Sequence, residues 1–287
     1  MSKPPLYFIG GPTASGKTAA ALALARPHSG VIINADAMQV YRGLPLLTAL
    51  PSPEEKAEIP HALFEVFDAA ERSSAGRWLT LARVAIEETV QAGRTPIVVG
   101  GTGMYFGALL GNLAEIPSIP DEVRASATAL YDERGHEAFR ALLAQRDPES
   151  ATRIELNDRQ RLIRAYEVVS YTGKTLGQWQ AASAAHSIEK DFTVHRQLLM
   201  PDRAELYARC DARFLRMMEL GALEEVRGLA ARHLDADLPA MKILGVPELA
   251  AHLRGEISLA EAIAKAQQST RNYAKRQMTW FRNQWGE

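Results

Sequence analysis

Glycine, lysine and threonine at fixed spacing form the most informative stretch of the sequence, FIGGPTASGKT, at residues 8–18. Gly11-x-x-x-x-Gly16-Lys17-Thr18 has the phosphate-loop spacing, in which backbone N–H groups point inward at an anion. Lys17 would bridge phosphate oxygens, and the Thr18 hydroxyl would ligate Mg²⁺. The alternative is a chance glycine-rich turn, but a strand-like run before the stretch and a helical pattern after it favour polyphosphate binding. The predicted phosphate-binding residues are Gly11, Pro12, Thr13, Ala14, Ser15, Gly16, Lys17 and Thr18.

Two further polar residues follow short apolar runs. Asp36 comes just after Val31–Asn34, and Thr102 lies in the Gly-Gly-Thr-Gly stretch that follows Pro96–Val99. A carboxylate at position 36 could take up a proton or hold a metal, although a turn aspartate that caps the next helix is an equally ordinary interpretation. Thr102 could donate a hydrogen bond to a ligand or could simply be a turn residue.

The elements that must position these residues are predicted from three apolar runs, Leu6–Ile9, Val31–Asn34 and Pro96–Val99. Each is short and rich in branched residues, and each is followed by polar or glycine residues and then a helical pattern. This order predicts an α/β fold: a P-loop core with a parallel sheet flanked by helices, whose ligands bind beyond the carboxyl ends of the strands. We also predict strands over 62–67 and 192–200 and a helix over 75–92.

The middle of the chain has a different pattern. Prolines punctuate it after Gly111, and helical patterns follow over 123–134, 137–145 and 158–172. We therefore predict three segments: a first part of the core at 1–116, an all-helical insertion domain at 117–190, and a second part of the core with C-terminal helices at 191–287. Within the last segment, Asp202 begins a helix, and Ser258 with Glu261 forms a capping box that opens a long final helix.

The net charge and the apolar runs argue against a polycationic protein and against a membrane-spanning protein. The 287 residues carry a net charge of −1, and no apolar run has the length that a membrane span requires. No secretory signal opens the sequence, and Cys210 is the only cysteine, so we expect a cytoplasmic protein without an internal disulfide, in which Cys210 is a buried packing residue.

Positive charge is nevertheless concentrated locally. Residues 265–287 hold five basic residues and one acid, and residues 153–164 hold four arginines and two acids. Such local patches suit a nucleic-acid partner. On the final helix, Arg271, Lys275, Met278 and Arg282 share one stripe, which we expect to face phosphates, while the stripe with Tyr273, Gln277 and Trp280 is expected in the core.

Three functions remain open from the residues alone. The third strand ends in glycines rather than in the Mg²⁺-binding aspartate of most P-loop ATPases. An ATP-dependent small-molecule kinase stays possible because Asp36 could serve as its base or metal ligand. A non-catalytic, RNA-binding P-loop protein that is switched by a nucleotide is another alternative.

Five stretches together resemble the bacterial tRNA dimethylallyltransferase (tRNA isopentenyltransferase) family, in order along nearly the whole chain. They are GGPTASGKT ending at Thr18, DAMQVY at 36–41, VGGTG ending at Gly103, NDRQRLIRA ending at Ala165 with Thr172-Gly-Lys174, and TRNYAKRQMTWFR at 270–282. The chain departs from the family pattern at three places. Ala37 replaces a serine, Leu50 replaces the lysine of a Thr-Ala-Lys stretch, and Val246-Pro247 replaces Tyr-Lys.

The resemblance implies an activity and its partners. Such enzymes transfer a dimethylallyl group from dimethylallyl diphosphate to the N6 amine of the adenosine 3′-adjacent to the tRNA anticodon, giving N6-isopentenyladenosine and diphosphate. A monomer that binds the anticodon stem-loop and uses Mg²⁺ is expected, with Asp36 as the proton acceptor and Thr102 and Lys17 beside it. The implied tRNA-binding residues are Asp36, Ala37, Met38, Gln39, Thr102, Arg124, Gln160, Arg161, Leu162, Ile163 and Arg164.

Overall fold

The computed structural model describes residues 3–114, 116–117, 119–183 and 186–285. Outside the described residues lie Met1, Ser2, Glu115, Ser118, Ala184, Ala185, Gly286 and Glu287. The predicted outer limits of the core, residues 1 and 287, are among them. The chain forms two compact units. We call Met1–Gly107 with Asp191–Glu287 the core unit, and Ala108–Lys190 the helical unit. The segment limits 1–116, 117–190 and 191–287 stay predictions.

A five-stranded parallel sheet organises the core unit. Its strands are β1 (Pro5–Gly10), β2 (Gly30–Asn34), β3 (His61–Ala62), β4 (Thr95–Gly100) and β5 (Thr193–Leu198), in the order β3-β2-β4-β1-β5. The three strands predicted first are confirmed as β1, β2 and β4, which occupy the middle of the sheet. Their carboxyl ends align, because Gly10 pairs with Gly100 and Asn34 pairs with Val99. The phosphate loop and Asp36 therefore leave the sheet at the same edge.

Helices surround this sheet. They are α1 (Lys17–Ala25), α2 (Pro53–Glu58), α3 (Ala75–Gln91), α4 (Gly103–Leu109), and, after the helical unit, α9 (Arg203–Glu219), α10 (Ala222–Ala230), α11 (Val246–Leu253) and α12 (Leu259–Gln284). The predicted helix starts are confirmed: Asp202 accepts the N–H groups of Ala204 and Glu205, and Ser258 and Glu261 form a capping box. The buried Trp78 of α3 donates its indole N–H to the carbonyl of Asn34 at 2.8 Å, which fastens α3 to the end of β2.

The strand predicted over 62–67 is wrong beyond Ala62. Leu63 and Glu65 have φ angles of 65° and 54°, which is the left-handed region that an extended strand excludes. The Asn34 side chain donates to the carbonyl of Leu63 at 3.1 Å and stabilises this turn. Phe67 returns to the sheet only through an isolated bridge to Tyr41.

The helical unit contains α5 (Asp121–Ala144), α6 (Pro148–Arg153), α7 (Arg159–Thr172) and α8 (Leu176–Ser183). Gly135 interrupts α5 with a φ of 75°, so the two helices predicted over 123–134 and 137–145 meet there without a loop. Short helices α6 and α8 were not predicted. The unit has its own apolar core, to which Phe139, Leu143, Leu162 and Val169 contribute. The predicted fold class, a P-loop α/β core with a helical insertion, is thus confirmed.

None of the helices in the described part of the chain is both long and apolar enough to cross a membrane.

Candidate active site

The phosphate loop joins β1 to α1 and is held closely against the neighbouring strand. A Cβ on Gly11 would collide with the carbonyl oxygen of Leu199, so this position requires glycine. Lys17, in the first turn of α1, is half-buried and donates from Nζ to the carbonyl of Pro12 at 2.7 Å. The lysine therefore lies over the loop, where a bound anion would compete for the same ammonium group.

Residues far along the chain fix the loop from the other side. The backbone N–H of Thr13 donates to Oε1 of Gln277 at 2.8 Å, and Arg213 donates to the Thr13 hydroxyl. Gln277 is buried, and its Nε2 donates to the carbonyl of Gly101 at 2.8 Å. One amide side chain thus connects the phosphate loop to the glycine-rich loop that follows β4.

Asp36 and Thr102 meet at the ends of β2 and β4. Asp36 makes a tight turn, because its N–H donates to Asn34 Oδ1 at 2.8 Å and its own Oδ1 accepts the N–H of Met38 at 2.9 Å. Thr102 Oγ1 accepts the N–H of Ala37 at 2.9 Å. Asp36 therefore caps a turn, and its carboxyl group also lies in the pocket beside the phosphate loop. Its role as a proton acceptor or metal ligand stays a prediction.

The charges in this region influence one another. Burial lowers the pKa of Lys17 to about 8, against the opposing effect of the Asp36 carboxylate. Burial also lowers the pKa of Arg213, while nearby Cys210 and Asp36 act to raise it. The pKa of the Tyr273 phenol is raised by burial and then by Asp36. Two cations and one carboxylate consequently lie within electrostatic reach of one another around the loop.

A small pocket opens between these groups, and both polar and apolar side chains line it. The polar part comprises Thr13, Asp36, Thr48, Arg213 and Thr270. The remaining wall consists of Met38, Leu47, Cys210, Phe214, Met217, Leu244 and Tyr273. The lining thus combines groups that could contact an anion with groups that could contact a hydrocarbon.

Two further predicted residues of the core unit, Gln39 and Thr18, are outside the pocket lining. Gln39 donates from Nε2 to the carbonyls of Thr48 and Ala49, at 3.0 and 2.7 Å, and so supports the pocket wall. Thr18 is exposed in the first turn of α1. In the part of the chain that the structure describes, no group of three or more His, Cys, Asp or Glu side chains could hold a metal ion by itself.

The helical unit places the predicted RNA-binding residues of α7 in two different environments. Gln160 and Arg161 are exposed, whereas Leu162 and Ile163 are buried in the core of the unit. Neither of these two apolar side chains is available to an RNA, because consecutive helical residues point in different directions and the apolar ones pack inward. Any contact of Leu162 and Ile163 with an RNA would therefore involve their backbone, and the predicted RNA-binding run from 160 to 164 stays a prediction.

Arg124 and Arg164 are joined by a buried acid that the sequence analysis overlooked. The Glu167 side chain is only 2% exposed, and it pairs with Arg164 at 2.5 Å and with Arg124 Nε at 3.4 Å. Both guanidinium groups keep substantial exposure, at 40% and 48%. The buried carboxylate therefore holds two partly exposed cations side by side.

The basic stripe predicted on the final helix is only partly exposed, since Lys275 and Arg282 are exposed whereas Arg271 and Met278 are engaged by other residues. Whether its cations contact phosphates stays a prediction. Met278 packs in the core with Leu206 and Cys210, and Arg271 pairs with Asp211 at 2.6 Å. The stripe follows the helical period, but α9 covers part of it. Cys210 is buried, as predicted.

Sequence reasoning also missed the roles of Arg213 and Gln277. Arg213 belongs to no local motif, and Gln277 lies in the TRNYAKRQMTWFR stretch but was expected only in the core; each reaches the loop because α9 and α12 pack beside it. The one available signal was position: Arg213 lies three residues after the buried Cys210, on the same face of an amphipathic helix.

The fold and the site together define a P-loop protein whose loop lies beside a mixed polar and apolar pocket. Family models described as "IPP transferase" and "Isopentenyl transferase" match residues 39–284 and 4–59. The chain belongs to the IPP transferase family. It is 54% identical to a tRNA dimethylallyltransferase of Rhodospirillum centenum, over 98% of this chain and 89% of that protein. A tRNA dimethylallyltransferase of a Caulobacter species is 53% identical, over 97% and 90%.

Solved structures agree with this assignment. A tRNA isopentenylpyrophosphate transferase from Bacillus halodurans is 33% identical with a TM-score of 0.70, covering 99% of this chain and 88% of that one. A eukaryotic dimethylallyltransferase acting on tRNA is 27% identical with a TM-score of 0.85, covering 97% and 70%. These similarities support the prenyltransferase hypothesis and not the kinase alternative.

Proposed function

We propose that the protein transfers a dimethylallyl group from dimethylallyl diphosphate to the N6 amine of the adenosine 3′-adjacent to the anticodon in tRNA. The products are N6-isopentenyladenosine and diphosphate. The observation that carries this proposal is one pocket in which the phosphate loop and Arg213 adjoin Asp36, with an apolar wall opposite. Relatives that share about half of their residues with this chain over nearly their full length have the same activity in their names.

The diphosphate head would bind at the phosphate loop. As the C1–O bond of the donor breaks, its electron pair leaves with the diphosphate, whose charge the loop N–H groups, Lys17 and Arg213 stabilise. The Lys17 ammonium would exchange the Pro12 carbonyl for phosphate oxygens. No water is activated in this reaction, which agrees with a β4 strand that ends in glycines.

The acceptor amine would approach from the side of Asp36 and Thr102. Its lone pair forms the new bond to C1, and its proton passes to the Asp36 carboxylate, which acts as a general base. The Ala37 N–H holds the Thr102 hydroxyl oxygen at 2.9 Å, which orients the hydroxyl beside Asp36. An anticodon-loop adenine suits this site because it is unpaired, so less free energy is needed to move it out of its stack.

Mg²⁺ is the metal we propose for the reaction. The exposed Thr18 hydroxyl offers an oxygen of the kind that Mg²⁺ prefers, and the phosphate oxygens of the donor would supply others. When bound, the ion would neutralise charge on the departing diphosphate.

The helical unit is proposed to bind the anticodon stem-loop through exposed polar and basic side chains. These are Arg124, Gln160, Arg161 and Arg164. Ala37, Met38 and Gln39 are also proposed to contact tRNA, and they belong to the core unit. Phosphate contacts by arginine position an RNA without reading its sequence. We further propose that the protein is cytoplasmic, in keeping with one buried cysteine. We also propose a monomer, and sedimentation of the purified protein would test this oligomeric state.

Transfer of labelled dimethylallyl diphosphate to bulk tRNA tests the proposal directly. With Mg²⁺ present, label should enter the tRNA, and nuclease digestion should release it as N6-isopentenyladenosine. A tRNA without adenosine at the position after the anticodon is the control and should remain unlabelled. Rapid ATP hydrolysis with no prenyl transfer under the same conditions would refute the proposal.

A further inference from the structure

One face of α9 changes from polar to apolar along the pocket. Cys210, Arg213, Phe214 and Met217 follow the i, i+3, i+4, i+7 spacing of a single helix face. The first two lie at the phosphate loop, since Cys210 Sγ is 3.9 Å from the carbonyl of Thr13 and Arg213 donates to the Thr13 hydroxyl. Met217 lies about 6 Å further along the helix axis than Arg213. A prenyl diphosphate with its head at the phosphate loop and its tail along this face would lie parallel to the helix.

The apolar end of this face is closed by tightly packed side chains. Phe214 is 3% exposed, and Met217 and Leu47 are each 7% exposed. A Cβ at Gly245 would lie 2.9 Å from Phe214 and 3.0 Å from Leu47, so main chain stands directly behind the two side chains.

The loop that carries Leu47 is also held in place. The Glu225 carboxylate accepts the N–H groups of Leu46 and Leu47, at 2.6 and 3.0 Å. With main chain on one side and a clamped loop on the other, this end of the pocket has little room to yield to a longer tail.

We propose that Phe214 and Met217 limit the hydrocarbon chain of the donor to one isoprene unit. This inference rests on the proposed function and goes beyond it, because it assigns donor length to two named side chains. A donor with a second isoprene unit and its diphosphate at the phosphate loop would need the volume that these side chains fill. Replacing either with a smaller residue should admit the longer tail.

The test compares dimethylallyl diphosphate with geranyl diphosphate, which has one more isoprene unit, as donors to tRNA. With either donor the C1–O bond breaks, the electron pair leaves with diphosphate, C1 bonds to N6, and the N6 proton goes to Asp36. The wild type should show no measurable geranyl transfer. Met217→Ala and Phe214→Ala should raise the ratio of geranyl to dimethylallyl kcat/KM by about tenfold or more.

Leu215→Ala is the matched control, because this residue is on the same helix but is 48% exposed and away from the pocket. It should keep the wild-type donor preference. Phe214→Leu and Met217→Val remove less volume and should give smaller shifts in the same direction if the alanine variants fold poorly. An unchanged preference in the folded variants, or efficient geranyl transfer by the wild type, would overturn this inference alone. Absence of dimethylallyl transfer by the wild type would overturn the proposed function and this inference together.

Discussion

At the scale of single residues, Asp36 combines a structural role with a proposed chemical role in one carboxyl group. Its Oδ1 accepts the N–H of Met38, so the turn after β2 depends on this side chain. An asparagine can accept the same hydrogen bond, whereas it cannot take a proton from an amine. The two roles are therefore separable by one isosteric substitution.

Asp36→Asn should lower kcat by about 10²- to 10⁴-fold, the usual contribution of a positioned general base. The Kd for tRNA should change much less, because phosphate contacts elsewhere carry most RNA affinity. Both constants should be measured at low and high Mg²⁺. If added Mg²⁺ restores most of the activity, Asp36 is a metal ligand and not the base, and a near-normal kcat would remove it from the mechanism.

Lys17 should make anion binding depend on pH. Because burial lowers its pKa to about 8, the free protein loses this positive charge as the pH rises through 8. The Kd for inorganic diphosphate should therefore weaken several-fold between pH 7 and pH 9.5. Lys17→Arg keeps its charge throughout that range and should show a flatter profile. Equal slopes for the two proteins, measured by calorimetry, would contradict this assignment.

The same lowered pKa has a consequence for stability. The folded protein releases the Lys17 proton at lower pH than the unfolded chain does, so the unfavourable burial of the ammonium is fully present below pH 8. It is relieved as the pH rises from about 8 towards the ordinary lysine pKa. Lys17→Met should therefore raise the Tm of the ligand-free protein at pH 7 while abolishing diphosphate binding. A lower Tm at pH 7 would show that the lysine stabilises the fold.

At the scale of elements, α12 holds two loops together through Gln277. Gln277→Glu keeps an acceptor for the Thr13 N–H but loses the donor to the Gly101 carbonyl, leaving a buried oxygen unpaired at a cost of about 1–3 kcal/mol. We expect a lower Tm and weaker diphosphate binding. Gln284→Glu makes the same chemical change at an exposed position of α12 and should leave both values unchanged. Equal behaviour of the two variants would show that the bridge is unimportant.

The elements also explain what the sequence could and could not predict. The phosphate loop, the turn at Asp36 and the capped start of α12 depend on neighbours within a few residues, so local patterns predicted them. The contact between Gln277 and Thr13 spans 264 positions, and only the packing of α12 creates it. The end of the predicted strand at Ala62 was missed because Leu63 and Glu65 adopt a backbone conformation that their residue types rarely take.

At the scale of the whole molecule, we propose that the core unit binds the prenyl donor and that the helical unit binds the anticodon stem-loop. Arg161 of the helical unit is 78% exposed, and its 3.4 Å pair with Asp158 contributes little to stability. Arg161→Ala should raise the KM for tRNA several-fold and leave the KM for the donor unchanged. It should also reduce the slope of log K against log salt concentration for RNA binding by about one. Arg134→Ala, at a 55% exposed position of the same unit, is the control. An unchanged KM for tRNA across salt concentrations would show that Arg161 is merely solvated.

Arg164 is predicted to behave differently from Arg161 because its partner is buried. Arg164→Ala removes the nearest cation from the buried Glu167 and leaves only the partly exposed Arg124 beside it. A fall in Tm should therefore accompany any loss of RNA binding. Thermal unfolding of the two single variants separates the effects, and equal Tm values would contradict the structural role of Glu167.

The parallel pairing of β1 with β5 has a consequence for biosynthesis. The phosphate loop comes early in the chain, yet its backbone rests against Leu199, and Thr13 is bonded to residues 200 and 264 positions later. At about 5–20 residues per second, a ribosome needs roughly 13 to 53 seconds to synthesise the 264 residues from Thr13 to Gln277. Throughout this time the nascent chain carries the loop without the partners that shape it. The proposed donor site is thus among the last parts of the protein to form. A product released before α12 is made would hold the complete phosphate-loop motif without the contacts that shape it.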